Sequence, residues 1–235
     1  MSKIFLTSDL HFNHANITKF EPESRPFATI EEMNQALIFN WNSVVSPEDD
    51  VYVLGDFFMG QISSIDDILP QLKGHIHLVR GNHDTKNRLE KYQQYGIDVK
   101  EIEYLTYKGR FFILCHFPIA SEEFKQMVRK DNSEVIICYG HIHSNAPHGY
   151  VDGTYHIGVD TNGLTPVNLQ QIWEESWPKP EDTSQFVEEY KEAHKNDAIN
   201  STRCDKCVHS VGTCGQEPES CKKYRRDPPD GGYYG

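Results

Sequence analysis

Residues 74–84 read GHIHLVRGNHD. The run His75-Ile76-His77-Leu78-Val79 is short, ends in apolar residues and is bracketed by Gly74 and Gly81, so it reads as a strand between turns. Directly behind it stand Asn82, His83 and Asp84, three side chains that can bind a metal or carry a proton. Open sheets build their sites at the C-terminal ends of strands. The pattern therefore asks whether other strands of the chain end in the same way.

Four more do. The strand candidate Lys3–Ser8 is followed by Asp9, Leu10 and His11, and Val51–Leu54 by Gly55 and Asp56. Arg110–Cys115 runs into His116, and Val135–Tyr139 into Gly140, His141, Ile142 and His143. In extended backbone, residues i and i+2 point the same way, so Asp9 with His11, and His141 with His143, can each aim two ligands into one cavity. Glycine ahead of the polar residues allows a sharp turn and close backbone approach. The remaining chain supplies helices. Thr29–Val45 has apolar residues at helical spacing, with Thr29 as N-cap and Glu32 completing a capping box. Ile65–Leu72 reads as a helix capped by Gly74, and Lys86–Tyr95 and Glu122–Lys130 as two more. Further strands are expected at Ile102–Tyr107, Thr154–Val159 and, as an edge strand carrying Pro166, Leu164–Trp173. Alternating β and α in the first half and a strand-rich second half predict an α/β or α+β fold with a mixed sheet system.

The pooled set is Asp9, His11, Asp56, Asn82, His116, His141 and His143: seven nitrogen and oxygen ligands and no thiolate. That suits two divalent ions better than one, with Mn first and Fe, Ni, Co or Zn as alternatives, and Asp56 is the natural carboxylate to bridge them. Any one of these histidines alone reads as an ordinary structural or surface residue. Five strands ending alike, in one order, do not.

The series SDLHF, LGDFF, RGNHD, CHFP and GHIHS resembles the calcineurin-like metallophosphoesterase family, over about residues 3–170. The resemblance implies a two-sheet β-sandwich flanked by helices. It implies one metal held by Asp9, His11, Asp56 and His143, and another by Asp56, Asn82, His116 and His141. In that reading His83 is no ligand but assists the leaving oxygen, and Asp84 orients its imidazole, or else caps the following helix. Two such ions lower the pKa of a bridging water to yield hydroxide near neutral pH, and neutralise charge on the phosphoryl group it attacks. The expected substrate is a small phosphate mono- or diester or a nucleotide. Other enzymes in view are a nuclease or nucleic-acid end-processing enzyme, and the non-enzymatic alternative is an inactive scaffold that binds proteins. The loop after the first ligands, with Asn13, His14, Asn16 and Arg25, is the candidate for gripping the substrate, Arg25 through a bidentate fork.

The 235 residues divide into a phosphoesterase-like domain at 1–175, a linker and helix at 176–200 (the helix at Ser184–His194), and a Cys-rich module at 201–235. In the module, Cys204, Cys207, Cys214 and Cys221 offer a tetrahedral structural zinc site, with disulfides or iron–sulfur ligation as alternatives. A net charge of −12 argues against binding duplex nucleic acid through its phosphates. No run of apolar residues spans a bilayer, and the N-terminal MSKIFLTSDLHF does not read as a signal peptide, so a cytoplasmic protein without membrane attachment is expected.

Overall fold

The computed structural model describes residues 2–119 and 135–176. Two five-stranded sheets stack on each other. The first holds β1 (Ile4–Thr7), β2 (Asp50–Leu54), β3 (His75–Val79), β4 (Asp98–Lys100) and β10 (Val167–Asn168), in the order β10-β1-β2-β3-β4. Strands β1 to β4 are parallel, and β10 runs antiparallel beside β1. The second holds β5 (Glu103–Tyr107), β6 (Arg110–Leu114), β7 (Val135–Tyr139), β8 (Tyr150–Val151) and β9 (Thr154–His156), in the order β5-β6-β7-β9-β8. Its three central strands, β6, β7 and β9, are parallel.

Side-chain alternation decides what each face packs against. Phe5, Val51, Val53 and Leu78 turn one way, into a core with Met33, Leu37, Trp41 and Tyr92 from the covering helices. Leu6, Leu54 and Val79 turn the other way and meet Phe112, Leu114, Ile136, Cys138 and Tyr155 of the second sheet. The helices are α1 (Ile17–Phe20), α2 (Ile30–Val44), α3 (Ser64–Ile68) and α4 (Lys86–Gln94), with a further helix at Leu169–Glu175. Helix α2 starts at the expected capping box: the Thr29 side chain accepts from the Glu32 N–H, and the Glu32 carboxylate accepts from the Thr29 N–H.

Two elements differ from expectation. The helix read over Ile65–Leu72 stops at Ile68 and tightens into a 3₁₀ turn at Leu69–Gln71 containing Pro70, so Gly74 serves the entry to β3 instead of a helix end. Proline cannot donate the hydrogen bond that the helix would need there. Leu164–Trp173 is not one strand: only Val167–Asn168 pairs with β1, and Asn168 then caps the helix that follows, its side chain accepting from the Gln170 N–H. The sequence reading also passed over the short strands β4 and β8. The helices expected at Glu122–Lys130 and Ser184–His194, and all four clustered cysteines, lie outside the described residues. Among the described residues no helix is long and apolar enough to cross a membrane.

Candidate active site

Parallel register sets the C-terminal ends of β1, β2 and β3 side by side, and those of β6 and β7 face them from the second sheet. The loops leaving these ends remain hydrogen-bonded to one another: Asp9 N–H to Gly55 O at 3.1 Å, His11 N–H to Asp56 O at 3.0 Å, and Gly140 N–H to His116 O at 3.0 Å. All seven expected ligands converge there. Six of them form two buried groups, Asp9 with His11 and His143, and Asp56 with His116 and His141, in each of which one ligand atom per residue lies within 4.8 Å of the others, while the exposed Asn82 joins the second through its Oδ1, 2.9 Å from His116 Nε2. His141 and His143 thus enter one cavity but join different groups, as the resemblance implies. His11, Asp9, His141 and His143 are not extended but left-handed, with φ of 49°, 57°, 72° and 48°. Asp56, at 54°, is the same. Such backbone costs roughly 1–3 kcal/mol per residue and collects at functional sites.

In most of these residues one polar atom is fixed and another is presented to the cavity. Asp9 Oδ2 accepts from the His141 N–H at 2.9 Å and lies 2.7 Å from the Ser8 hydroxyl, while its buried Oδ1 has no hydrogen-bond partner and faces His143 Nε2 at 3.8 Å. Asp56 Oδ1 accepts from the His83 N–H at 2.9 Å. Its Oδ2 lies nearly midway between the two groups, 3.6 Å from His11 Nε2 and 3.5 Å from His116 Nε2. His116 Nδ1 is 2.7 Å from the Leu54 carbonyl, which can only accept, so Nδ1 carries the proton and Nε2 points inward, 2.9 Å from Asn82 Oδ1. Both ring nitrogens of His11 are buried with no hydrogen-bond partner. Buried polar atoms without partners in this way suit the ligation of a cation.

The electrostatics agree. Burial holds the His11 and His141 imidazoles well below their usual range, so their lone pairs are free for ligation. Burial alone would raise the Asp56 carboxyl, but the His116, His83 and His11 imidazoles around it hold it well below the usual carboxylate range. Burial likewise opposes charge on His116, and the Asp56 carboxylate overcomes it, lifting the imidazole to about 9. A proton there stands where positive charge is wanted. Gly55 lets the loops close: at φ +88°, a Cβ on it would sit 2.6 Å from Gly81 Cα and 2.5 Å from His116 Nδ1.

His83 lies at the rim. Its side chain is 23% exposed, and Nε2 is 4.0 Å from Asp56 Oδ2. Asp84 does not orient it. The Asp84 carboxylate is fully buried and accepts from the N–H of Asp56 and of Gly81, both at 2.9 Å, from the Phe57 N–H at 3.3 Å and from the Tyr92 hydroxyl at 3.3 Å. It does not cap α4 either, since Thr85 occupies that position. Of the loop residues expected to grip substrate, His14 stands beside the site with its ring 5.2 Å from that of His11. Asn13 is tied to Asn34 of α2, accepting from its side-chain N–H and donating its own backbone N–H to it. Asn16 accepts from Lys19 at 3.2 Å. Arg25 is a correction: it is buried, and its N–H groups are engaged by Asp160, by the Asp9 and Leu10 carbonyls and by the Met33 sulfur, leaving no fork for a substrate. Asp160 was missed, although HIGVD (156–160) repeats the strand, glycine, aspartate order of the other motifs. Its carboxylate lies 2.6 Å from His143 Nδ1.

Residues 2–158 match the family described as the calcineurin-like phosphoesterase superfamily domain. The chain is 41% identical over 179 residues to the uncharacterized protein MJ1445 of Methanocaldococcus jannaschii, which covers 73% of this chain and 90% of that protein. It is 28% identical over 169 residues to the gene 66 protein of Mycobacterium phage L5, covering 61% of this chain and 79% of that one. Among solved structures, the protein of unknown function AQ665 from Aquifex aeolicus superposes with a TM-score of 0.60 at 25% identity, covering 73% of this chain and 98% of that one. Strand ends, cavity and sequence all lead to one conclusion: this chain belongs to the calcineurin-like phosphoesterase superfamily.

Proposed function

We propose that the chain is a dinuclear metal-dependent phosphoesterase that hydrolyses small phosphate mono- or diesters. One observation carries the reading: two buried His/Asp groups are joined through Asp56 Oδ2, and at their centre Asp9 Oδ1 and both His11 nitrogens have no hydrogen-bond partner. The ligands of one cation would be Asp9, His11, Asp56 and His143, and of the other Asp56, Asn82, His116 and His141. Divalent cations held there supply a water acidic enough to act as nucleophile near neutral pH, and offset the phosphoryl charge that builds in the transition state. The chain itself does the rest. Asp56, its Oδ1 pinned by the His83 N–H, presents Oδ2 to both groups. His116 and His143 present Nε2 because their Nδ1 atoms are occupied by the Leu54 carbonyl and the Asp160 carboxylate. His83, at the solvent rim, would give a proton to the leaving oxygen, a role its 23% exposure and its 4.0 Å distance from Asp56 Oδ2 support.

The test is turnover of p-nitrophenyl phosphate and bis-p-nitrophenyl phosphate by metal-stripped protein, with Mn, Ni, Co, Zn or Mg added singly. Metal-dependent hydrolysis lost in Asp56→Ala supports the reading, and the preferred ester defines the substrate class. Two bound ions without turnover on any ester would favour a protein-binding scaffold.

A further inference from the structure

The Asp9–His11–His143 half of the site is enclosed by a second pair of buried charges. We propose that Asp160 and Arg25 are positioning residues for this half-site, together setting the geometry of its three ligand side chains toward a divalent cation. The inference rests on the metal-dependent reading above.

The pair reaches the His143 ring directly and the Asp9–His11 turn through its carbonyls. Asp160 Oδ2 lies 2.6 Å from His143 Nδ1. Arg25 pairs with both oxygens of Asp160, and a carboxylate held in that pairing can only accept. The proton therefore sits on His143 Nδ1, and Nε2 is the atom turned toward Asp9. Arg25 holds Asp160 in place, with Nε 2.7 Å from Oδ1 and a terminal nitrogen 3.0 Å from Oδ2. The same guanidinium donates to the carbonyl of Asp9 at 2.5 Å and of Leu10 at 2.8 Å, the two peptide groups between the ligand positions Asp9 and His11. Ser24 completes the shell, its hydroxyl donating to Asp160 Oδ1 at 2.8 Å.

Geometry explains why such a device is needed. Asp9, His11 and His143 all stand at positive φ, between 48° and 57°. Strained backbone persists only where its surroundings over-determine it. Arg25 restrains the carbonyls of the first strained turn and Asp160 restrains the imidazole of the second. The two turns come from different sheets, and the Arg25–Asp160 pair is a charged link between them. A carboxylate on the far nitrogen of a ligating histidine also fixes its tautomer and strengthens it as a ligand.

The experiment is equilibrium dialysis of the full chain against Mn with elemental analysis, for the wild type, Asp160→Asn and Arg25→Lys. His143→Ala and His116→Ala serve as references for loss of one half-site or the other. Both test variants should keep one ion at wild-type affinity and bind the second about 10–100-fold more weakly. Adding Asp160→Asn to His143→Ala should weaken binding no further. Variants with lowered melting temperature but two ions bound as in the wild type would reduce the pair to a structural salt bridge and overturn the inference, as would equal weakening of both ions. If Asp160→Asn does not fold, nitrogen-15 NMR of the Zn-loaded wild type decides: a protonated His143 Nδ1 with a far-downfield proton supports the pair's role, and a bare Nδ1 overturns it. A wild type that binds no ion overturns the metal-dependent reading itself, a result distinct from all of these.

Discussion

Asp84 Oδ2 accepts the backbone N–H of Asp56 at 2.9 Å, across two neighbouring loops. The carboxylate next in sequence to the rim histidine therefore fixes the residue that both halves of the site share. Burial, and then the nearby Asp56 charge, raise the Asp84 carboxyl, and the N–H donors of Gly81 and Asp56 oppose that rise. Replacing Asp84 by Ala should strand those buried donors and lower stability by about 3 kcal/mol in urea denaturation. If the residue acts through the loops, metal affinity falls along with stability, while the pH profile of residual turnover keeps its shape. A profile shifted in the manner of a His83 variant would mean that Asp84 reaches the imidazole after all.

Asp56 and His83 should separate cleanly. Asp56 Oδ2 is 3.6 Å from His11 Nε2 and 3.5 Å from His116 Nε2, so Asp56→Ala removes a ligand from both groups and is expected to lose both ions by elemental analysis. His83 lies outside both groups. His83→Ala should bind two ions and lose about 10²–10⁴-fold in rate, the usual contribution of a general acid. Loss of metal in His83→Ala would contradict its placement at the rim.

Gly55 carries an expectation of its own. At φ +88°, with an added Cβ 2.6 Å from Gly81 Cα, Gly55→Ala meets both backbone strain and rigid backbone atoms. The cost should be about 3 kcal/mol, read as a lower urea midpoint at unchanged slope. Metal affinity should drop in parallel, because the added carbon also presses on His116 Nδ1 at 2.5 Å.

Acid stability has a clear source away from the site. Asp49 accepts the Lys3 N–H at 2.7 Å and the Ser46 N–H at 2.8 Å, and the Lys3 hydrogen bond in particular holds its carboxyl below the ordinary 3.8. A folded-state value below the unfolded one gives stability that is present above pH 3.8 and is lost as pH falls through the lower folded value. Asp49→Asn should therefore flatten the acid limb of the stability curve, and Asp49→Ala should cost about 2 kcal/mol at neutral pH. An acid limb unchanged in Asp49→Asn would place that dependence elsewhere.

Much of this could be read from residue order because strand ends are local events. His75–Val79 and Val135–Tyr139 fall where their apolar runs predict, and the residues behind them reach the cavity because parallel register leaves them nowhere else to go. What escaped was partnership across the chain. Arg25 and Asp160 are 135 positions apart, and nothing in RPF or in GVD announces a shared ion pair. Asp84 looked like a companion for the adjacent His83, yet its geometry is set by amides on another strand's loop. The strands β4 and β8 are too short to show a period, and the helix at Leu169–Glu175 was hidden because its apolar residues continue those of the strand before it.

The division of the ligands between the two sheets also orders events in time. Asp9 leaves the first strand of one sheet, and His143 follows β7 of the other. During synthesis the early loops can form while the second sheet is still unmade, but the cavity cannot close until residue 143 has left the ribosome and the sheets have docked. A chain that stops short of GHIHS would therefore lack two of the converging side chains and could present only part of the cluster.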